Sequence, residues 1–225
     1  MHQFNYFFSS IKILLLFLTI VFSFSSCAEN KYAASDSGNW VSLFNGKNLD
    51  DWKVGANAAS FRVDSGMIRV NGKTAHLFYN GAYSNHFFKN FELKASVMTF
   101  NRANSGIYIH TDFQETGWPE KGYEIQVNNS HTDWRRTGSL YGIEDVKELY
   151  VKDYEWYTEY IKVAGKRITI KINDKVVVDY TEPDNLTRTG ANAKRVLSGG
   201  TIALQGHDPL SVVYFKDILI RKLPD

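Results

Sequence analysis

Alternation of apolar and polar residues predicts short β-strands along most of this chain. The clearest case is residues 91–97 (FELKASV), in which every second side chain is apolar. A period of two indicates a strand, because successive side chains of a strand point to opposite faces. Similar alternation or a short apolar run occurs in residues 41–44, 61–63, 67–70, 76–79, 107–110, 123–128, 156–163, 167–172, 176–180, 201–205 and 212–222.

Turn sequences separate these runs at short intervals. Residues 64–66 (DSG) lie between two apolar runs, which is a hairpin signal, and residues 164–166 (AGK) and 173–175 (NDK) divide three later runs into a meander. No segment longer than ten residues has a helical period. Short strands with turns every 8 to 12 residues or so are typical of an antiparallel sandwich. We therefore predict an all-β sandwich of two curved sheets, with one concave face open.

The stretch 104–142 differs from ordinary surface strands in its polar residues. Simple alternation places Tyr108 and His110 on one side of a strand, and it places Glu124, Gln126 and Asn128 on one side of the next strand. Solvent-facing rows usually contain Lys, Glu and Thr. Rows of Tyr, His, Glu, Gln and Asn indicate that these two strands line a groove.

The N-terminal segment is predicted to be a targeting signal outside the fold. Lys12 precedes an apolar run at residues 13–24, and two serines then lead to Cys27, the only cysteine of the chain. The run is too short to span a membrane and has the form of a secretory signal peptide over residues 1–26. Cys27 occupies the place of the lipidated cysteine of a bacterial lipoprotein. The alternative is ordinary signal cleavage next to an incidental cysteine.

The remaining chain is expected to form one domain. Residues 27–39 would carry the lipid and a flexible tether, and residues 40–225 would form a single β-sandwich, large enough for one substantial core. The formal net charge is +2, with both signs interspersed, so there is no electrostatic case for nucleic acid. We expect an exported protein of the bacterial cell envelope, on the periplasmic side or the outer-membrane surface.

Five segments in order resemble the 3-keto-disaccharide hydrolase family. They are residues 40–52 (WVSLFNGKNLDDW), 104–107 (NSGI), 122–126 (GYEIQ), 137–141 (TGSLY) and 200–207 (GTIALQGH). The resemblance implies a concanavalin A-like or laminin G-like jelly roll. It also implies an exported hydrolase whose substrate is an oligosaccharide or glycoside with a sugar oxidised at carbon 3.

The strand at 124–128 does not match an ordinary glucanase of this shape. Such enzymes place two carboxylates on one strand face in a Glu-x-Asp-x-(x)-Glu pattern, as nucleophile and acid/base. Here the positions are Glu124, Gln126 and Asn128, and amides neither attack as nucleophiles nor exchange protons at neutral pH. A partner carboxylate on another strand remains an alternative.

A ketone at carbon 3 needs different groups. It acidifies the proton on carbon 2, so one base, a donor for the enolate oxygen and an acid for the leaving group suffice for elimination. From the residues alone we select Glu124, His110 and His207 as catalytic candidates. The candidates for substrate binding are Tyr108, Gln126, Trp118, Trp134, Arg135, Tyr141 and Gln205.

Other arrangements of these residues stay open at this level. His110, Glu124 and His207 would also suit a two-histidine, one-carboxylate site for a divalent metal, although their spacing in the sequence says nothing about convergence. A structural calcium ion is a further alternative. A noncatalytic carbohydrate-binding module would need the aromatic and amide residues but no acid/base pair, and an ordinary glycosidase would need a second carboxylate.

Overall fold

A computed structural model describes residue 1 and residues 39–225. The predicted signal peptide, Cys27 and nearly all of the tether lie outside the described residues. Within the part that is described, no helix is both long enough and apolar enough to cross a membrane.

Residues 39–225 form thirteen β-strands and three short 3-10 turns. The strands are β1 (Val41–Ser42), β2 (Trp52–Val54), β3 (Phe61–Asp64), β4 (Met67–Val70), β5 (Ala75–Tyr79), β6 (Phe91–Thr99), β7 (Ser105–Thr111), β8 (Tyr123–Val127), β9 (Tyr157–Ala164), β10 (Arg167–Ile172), β11 (Lys175–Thr181), β12 (Thr201–Gly206) and β13 (Val213–Lys222). The 3-10 turns are Ala58–Ser60, Tyr83–His86 and Gly190–Asn192.

The strands pair antiparallel in two sheets. The larger sheet has the order β11-β10-β9-β6-β13-β4-β3, with β1 also paired to β13, and the smaller sheet has the order β2-β5-β12-β7-β8. The predicted hairpin at residues 64–66 joins β3 to β4, and the predicted meander is β9-β10-β11. The prediction of an all-β jelly-roll sandwich is confirmed.

The core lies between the sheets and is formed by the apolar rows of the alternating strands. On β6, the alternate residues Phe91, Leu93 and Val97 are at most 1% exposed. From the smaller sheet, Leu77 of β5 and Ile125 of β8 are buried to the same extent. Full burial of side chains of this size stabilises the fold by about 1.5–3 kcal/mol each, so these rows hold the two sheets together.

One predicted alternation is wrong, and the error concerns His110. Between β7 and β12, Tyr108 pairs with Ala203 but Thr111 pairs with Thr201, so β7 contains one extra residue. This is a β-bulge, and His110 takes the left-handed φ of 54° within it. A bulge reverses the face on which the following side chains lie, so His110 does not share the face of Tyr108.

His110 is instead a buried residue of the core. Its ring packs against Phe91 of the opposite sheet, with centroids 5.8 Å apart, and its Nε2 is 2.9 Å from the carbonyl oxygen of Lys89. Burial lowers the pKa of His110 to about 4. The imidazole is therefore neutral at physiological pH, and Nε2 donates its proton to that carbonyl.

Candidate functional site

A cavity of about 540 Å³ lies on the face of the smaller sheet that points away from the core. Its floor consists of side chains from β7, β8 and β12, namely Tyr108, Glu124, Gln126 and Gln205. Its walls come from the surrounding loops and strand ends, and they are Asn104, Gln114, Thr116, Gly117, Trp118, Pro119, Glu120, Asp133, Tyr141, Asn192, Arg195 and His207.

Glu124 is the central carboxylate of the floor. Tyr108 donates its hydroxyl proton to Oε2 over 2.8 Å, and Gln205 donates from Nε2 to Oε1 over 2.7 Å. The strand pairing explains this convergence, because Tyr108 lies opposite Glu124 across β7 and β8. The carboxylate also needs a glycine at position 106, because a Cβ atom there would lie only 2.7 Å from Glu124 Oε1. The carboxylate is thus fixed by two donors and by the absence of a neighbouring side chain.

The surroundings of Glu124 favour its neutral form more than water does. Burial raises the pKa of this carboxyl, and the hydrogen bonds from Tyr108 and Gln205 and the positive charges of Arg195 and His207 only partly offset that effect. Burial and the neighbouring carboxylate also raise the pKa of Tyr108 well above its usual range. A carboxylate with a raised pKa is a stronger base, which is the adjustment that general-base catalysis needs.

Two amides on the cavity floor carry acceptors without a partner in the part of the chain that is described. Gln126 donates from Nε2 to Asn104 Oδ1 over 3.0 Å. The Oε1 atoms of Gln126 and Gln205 are buried and have no hydrogen-bond partner among the described residues. A buried acceptor without a partner is unfavourable, and both side chains line the cavity. These two oxygens are therefore buried polar atoms at the cavity floor whose hydrogen-bonding capacity the described residues leave unused.

His207 lies at the wall of the cavity beside an acidic neighbour. Its Nδ1 is 2.8 Å from Asp208 Oδ2, and its ring lies 5.3 Å from that of Trp118. Ser211 donates its hydroxyl to the same Asp208 oxygen over 2.6 Å. Burial alone would raise the pKa of Asp208, but the hydrogen bonds from Ser211 and His207 lower it. Asp208 is thus an anion that accepts the Nδ1 proton and leaves Nε2 of His207 for chemistry.

His131 completes a group that would have the composition of a metal site. One atom each of His131, His207 and Asp208 lies within 4.8 Å of the others. However, His131 Nδ1 accepts the backbone N–H of Asp133 over 3.1 Å, so its neutral tautomer is protonated on Nε2. Metal-ligating histidines donate from the nitrogen that does not bind the metal. The hydrogen bonds of this group fit an acid/base pair better than they fit a metal centre.

The metal site that the sequence left open, with His110, Glu124 and His207, does not form. His110 faces the core, whereas Glu124 and His207 line the cavity. The bulge in β7 is the reason.

Arg195 is the cationic wall residue that sequence reasoning missed. It lies close enough to Glu124 and Tyr108 that its charge lowers the pKa of both groups, against the larger effect of burial. Nη1 donates to the backbone carbonyl oxygen of Tyr141 over 3.2 Å, which directs the guanidinium to this wall. Arg195 belongs to a long polar loop without periodicity, so nothing in the local sequence distinguished it from a solvated arginine.

The structure brings together most of the residues selected from the sequence. Seven of them line the cavity: Tyr108, Trp118, Glu124, Gln126, Tyr141, Gln205 and His207. Trp134 and Arg135 do not line it. Arg135 forms ion pairs with Asp133 and Asp145, and its guanidinium carbon is 4.7 Å from the ring centroid of Tyr141, so it packs behind that wall residue.

Asn104 and Asp133 also line the cavity and were not selected. Asn104 directly precedes β7. It belongs to the NSGI segment at residues 104–107, which could have indicated it as a site residue. Asp133 had no such signal. It reaches the cavity because Asn128 anchors the loop after β8, donating from Nδ2 to the carbonyl oxygens of Asp133 and Arg135 over 2.9 and 2.8 Å.

Fold and cavity together define a jelly-roll protein with a polar and aromatic cleft on one sheet. A family model described as the 3-keto-alpha-glucoside-1,2-lyase-like domain matches residues 39–221. The chain therefore belongs to this family, as the resemblance of its motifs indicated. No curated protein matches the chain.

Solved structures share the fold at low sequence identity. A protein of Parabacteroides distasonis ATCC 8503, proposed to be a glycosyl hydrolase, is 22% identical with a TM-score of 0.68, over 82% of this chain and 94% of that one. The carbohydrate-binding module CBM66 of Bacillus subtilis is 12% identical with a TM-score of 0.54, over 76% and 96%. The lumenal domain of VIP36, bound to Ca²⁺ and Man3GlcNAc, is 11% identical with a TM-score of 0.53, over 84% and 92%. Family and fold support a carbohydrate-related function.

Proposed function

We propose that this protein cleaves glycosides whose sugar is oxidised to a ketone at carbon 3, by elimination followed by addition of water. The single observation that carries the proposal is the buried Glu124 carboxylate on the cavity floor, held by Tyr108 and Gln205 with a raised pKa. Such a group is suited to take a weakly acidic carbon-bound proton.

In the first step, Glu124 removes the proton from carbon 2. The electron pair of that C–H bond forms an enolate with the carbonyl group at carbon 3. Arg195 provides a positive charge at the cavity wall, and Tyr141 lies beside it. A fixed cation near the developing oxyanion lowers the barrier, because the charge is met without reorganising water.

In the second step, the enolate expels the group on carbon 1. The ketone is restored, a double bond forms between carbons 1 and 2, and the leaving oxygen takes a proton. The imidazolium of His207 supplies that proton from Nε2, and Asp208 stabilises it by accepting the Nδ1 proton. Water then adds across the double bond: its hydroxyl goes to carbon 1 with His207 taking back a proton, and Glu124 returns its proton to carbon 2.

A direct two-carboxylate route is less well supported. Asp133 is the cavity carboxylate that would have to assist Glu124, but its Oδ1 accepts the backbone N–H of Arg135 over 3.0 Å and its Oδ2 accepts the hydroxyl of Tyr141 over 3.3 Å. Glu120, the third carboxylate of the lining, is paired with Lys194 at 2.9 Å. Neither one shares the desolvated environment of Glu124.

The proposal is tested with the domain 39–225 and two substrates. A 3-keto-disaccharide and its unoxidised parent are incubated with enzyme, and products are followed by chromatography. Cleavage of the keto form alone is expected, and equal cleavage of both forms, or of neither, would overturn the proposal. Glu124→Gln should reduce turnover by about a hundredfold or more. Binding of sugar without consumption of any substrate would favour the alternative of a carbohydrate-binding module.

We also propose that the protein acts in the bacterial cell envelope, tethered by a lipid on Cys27. The apolar run before that cysteine supports export, and a sugar-cleaving domain on a tether would meet its substrates outside the cytoplasm.

A further inference from the structure

The outer face of the larger sheet, on the far side of the molecule from the cavity, carries three lysines without an acidic partner. Lys94 lies on β6, Lys171 on β10 and Lys216 on β13. Each occupies a half-buried position that alternates with the core residues of its strand, so each side chain points away from the core. None of the three forms an ion pair with any residue that the structure describes.

The acidic side chains of this face are engaged with other groups. On strands β6, β9, β10, β11 and β13 there are three of them: Glu92 with Arg221 and Lys162, Asp179 with Arg167, and Asp217 with the hydroxyl of Ser96. The outward positions of these five strands therefore hold six basic side chains and three acidic ones. This one face carries a net charge of +3, whereas the whole chain has +2.

Each unpaired lysine lies over an aromatic ring of the same face. The distance from Nζ to the ring centroid is 4.4 Å for Lys94 over Trp40, 5.2 Å for Lys171 over Tyr160 and 4.3 Å for Lys216 over Trp156. A ring attracts the ammonium group through its quadrupole but does not neutralise the positive charge. We call these six residues the basic aromatic face.

The composition of this face is typical of a protein surface that meets a membrane. Trp and Tyr favour the level of the lipid headgroups, because their rings are amphipathic, and each lysine near an anionic bilayer strengthens binding by about fivefold. The three lysines span the strand order β10-β9-β6-β13, which is three strand spacings or about 15 Å. Charge spread over this width fits an extended anionic surface better than it fits one small anion.

The start of the domain lies at the same face. Trp40 directly precedes β1, and β1 pairs with β13 through Val41 and Ile220. Trp40 follows Cys27 by 13 residues in the sequence, a length that spans at most about 45 Å when fully extended. A lipid on Cys27 would therefore keep the basic aromatic face within reach of the membrane.

We propose that the basic aromatic face docks on an anionic lipid bilayer. The inference rests on the proposed location in the cell envelope and adds an orientation to it. The cavity lies on the outward face of the smaller sheet, and the basic aromatic face lies on the outward face of the larger sheet. Docking through the larger sheet leaves the mouth of the cavity open to solvent, where substrate can enter.

The test measures binding of the domain 39–225, which lacks Cys27, to sedimented lipid vesicles. Vesicles of equal parts phosphatidylglycerol and phosphatidylcholine should bind the domain, and vesicles of phosphatidylcholine alone should not. Salt at about 0.5 M should release it, because the Debye length falls to about 4 Å. Lys94→Gln with Lys216→Gln should lower the partition coefficient by about 25-fold, or about fivefold for each lysine.

Lys53→Gln with Lys147→Gln is the matched control. Both of these lysines also lie over aromatic rings, Phe113 and Trp134, but Lys53 belongs to the smaller sheet and Lys147 to the loop after Tyr141. The control loses the same charge and should change the partition coefficient by less than about twofold. If the double variant of the basic aromatic face has a lowered melting temperature, Lys171→Gln replaces it.

Several results would overturn the docking face: no binding to either kind of vesicle, equal binding to both, or an equal loss in the control variant. Binding to an anionic polysaccharide such as alginate, without binding to vesicles, would also overturn it. The assay contains no sugar substrate and no lipid anchor. Its failure therefore leaves the proposed cleavage and the proposed lipid on Cys27 to their own tests, and vesicle binding would stand even if either of those proposals failed.

Discussion

Individual residues around Glu124 show how closely this site is packed. Gly106 faces the carboxylate from the neighbouring strand, and its lack of a side chain leaves the space that Glu124 occupies. The two donors, Tyr108 and Gln205, then determine where each carboxylate oxygen lies. The orientation of the proposed base therefore depends on a residue that takes no part in the chemistry.

Gly106→Ala is expected to reduce turnover by roughly ten- to a hundredfold, because a displacement of about 1 Å at a reacting group has an effect of this size. The new Cβ would lie 2.7 Å from Glu124 Oε1 and would displace the carboxylate. The melting temperature is measured alongside, because the new Cβ crowds buried atoms of Glu124 although Gly106 has no positive φ to lose. Gly206→Ala on β12 is the control, because its Cβ would meet nothing nearer than 3.4 Å. Equal turnover in both variants would contradict the role of Gly106.

Asp208→Asn tests the proton donor. Asp208→Asn removes the negative charge that stabilises the imidazolium of His207, so protonation of the leaving group should slow. Turnover of a 3-keto-disaccharide should fall by about tenfold or more, whereas a 3-keto-glucoside of 4-nitrophenol, which leaves as a stable anion, should be nearly unaffected. Asp184→Asn, at an exposed ion pair with Lys166, is the control. An equal loss on both substrates would indicate a structural role for Asp208.

Among the elements, β7 departs from simple alternation, and β9 keeps the alternation but has a charged residue in its buried row. In β7 the bulge turns His110 toward the core. In β9 the alternation is regular, yet it buries Glu159 between Tyr157 and Ile161, with 0% exposure. Neither carboxyl oxygen of Glu159 has a hydrogen-bond partner among the residues that the structure describes. Burial alone raises the pKa of Glu159 well above its usual range.

Glu159 should therefore make stability depend on pH. The folded protein keeps this group protonated at pH values where the unfolded chain has lost the proton. The contribution of Glu159 to stability is then most favourable below the ordinary carboxyl pKa and is lost as the pH rises toward the raised pKa of the folded state. Glu159→Gln removes the ionisation, so it should raise the melting temperature at pH 8 and have little effect at pH 4.

Thermal unfolding across this pH range checks the prediction, with Glu148→Gln at an exposed position as the control. A variant that is no more stable than the wild type at pH 8 would show that ionisation of Glu159 costs the folded protein no stability.

At the scale of the whole molecule, the site combines distant parts of the chain. Glu124, Arg195 and His207 come from β8, a long loop and the end of β12, and they meet at one cavity because β7 lies between β8 and β12. The sheet order thus decides which residues can act together. The groove faces outward on a domain whose preceding segment we expect to carry a lipid.

Cys27→Ser tests that expectation in a bacterial host that processes lipoproteins. The wild-type full chain should fractionate with membranes and incorporate a labelled fatty acid, because the thiol of Cys27 is the proposed attachment point. The variant should lose the label and leave the membrane fraction. A wild-type chain found only in the soluble fraction would instead indicate simple signal cleavage.

By itself, the sequence determined the strands, the sandwich and much of the cavity floor. Strand periodicity is a local property. Tyr108, Glu124, Gln126 and Gln205 lie outside the β7 bulge, in stretches where a period of two assigns the face correctly. The motif segments likewise indicated the family. These features depend on neighbouring residues along the chain, so they can be read without coordinates.

Only the tertiary structure decided the position of His110, the ionic partner of His207 and the place of Arg195 in the wall. A bulge depends on pairing with another strand, and a loop such as the one that carries Arg195 has no period to assign its face. Contacts between distant segments are set by sheet order and packing, which local alternation does not contain.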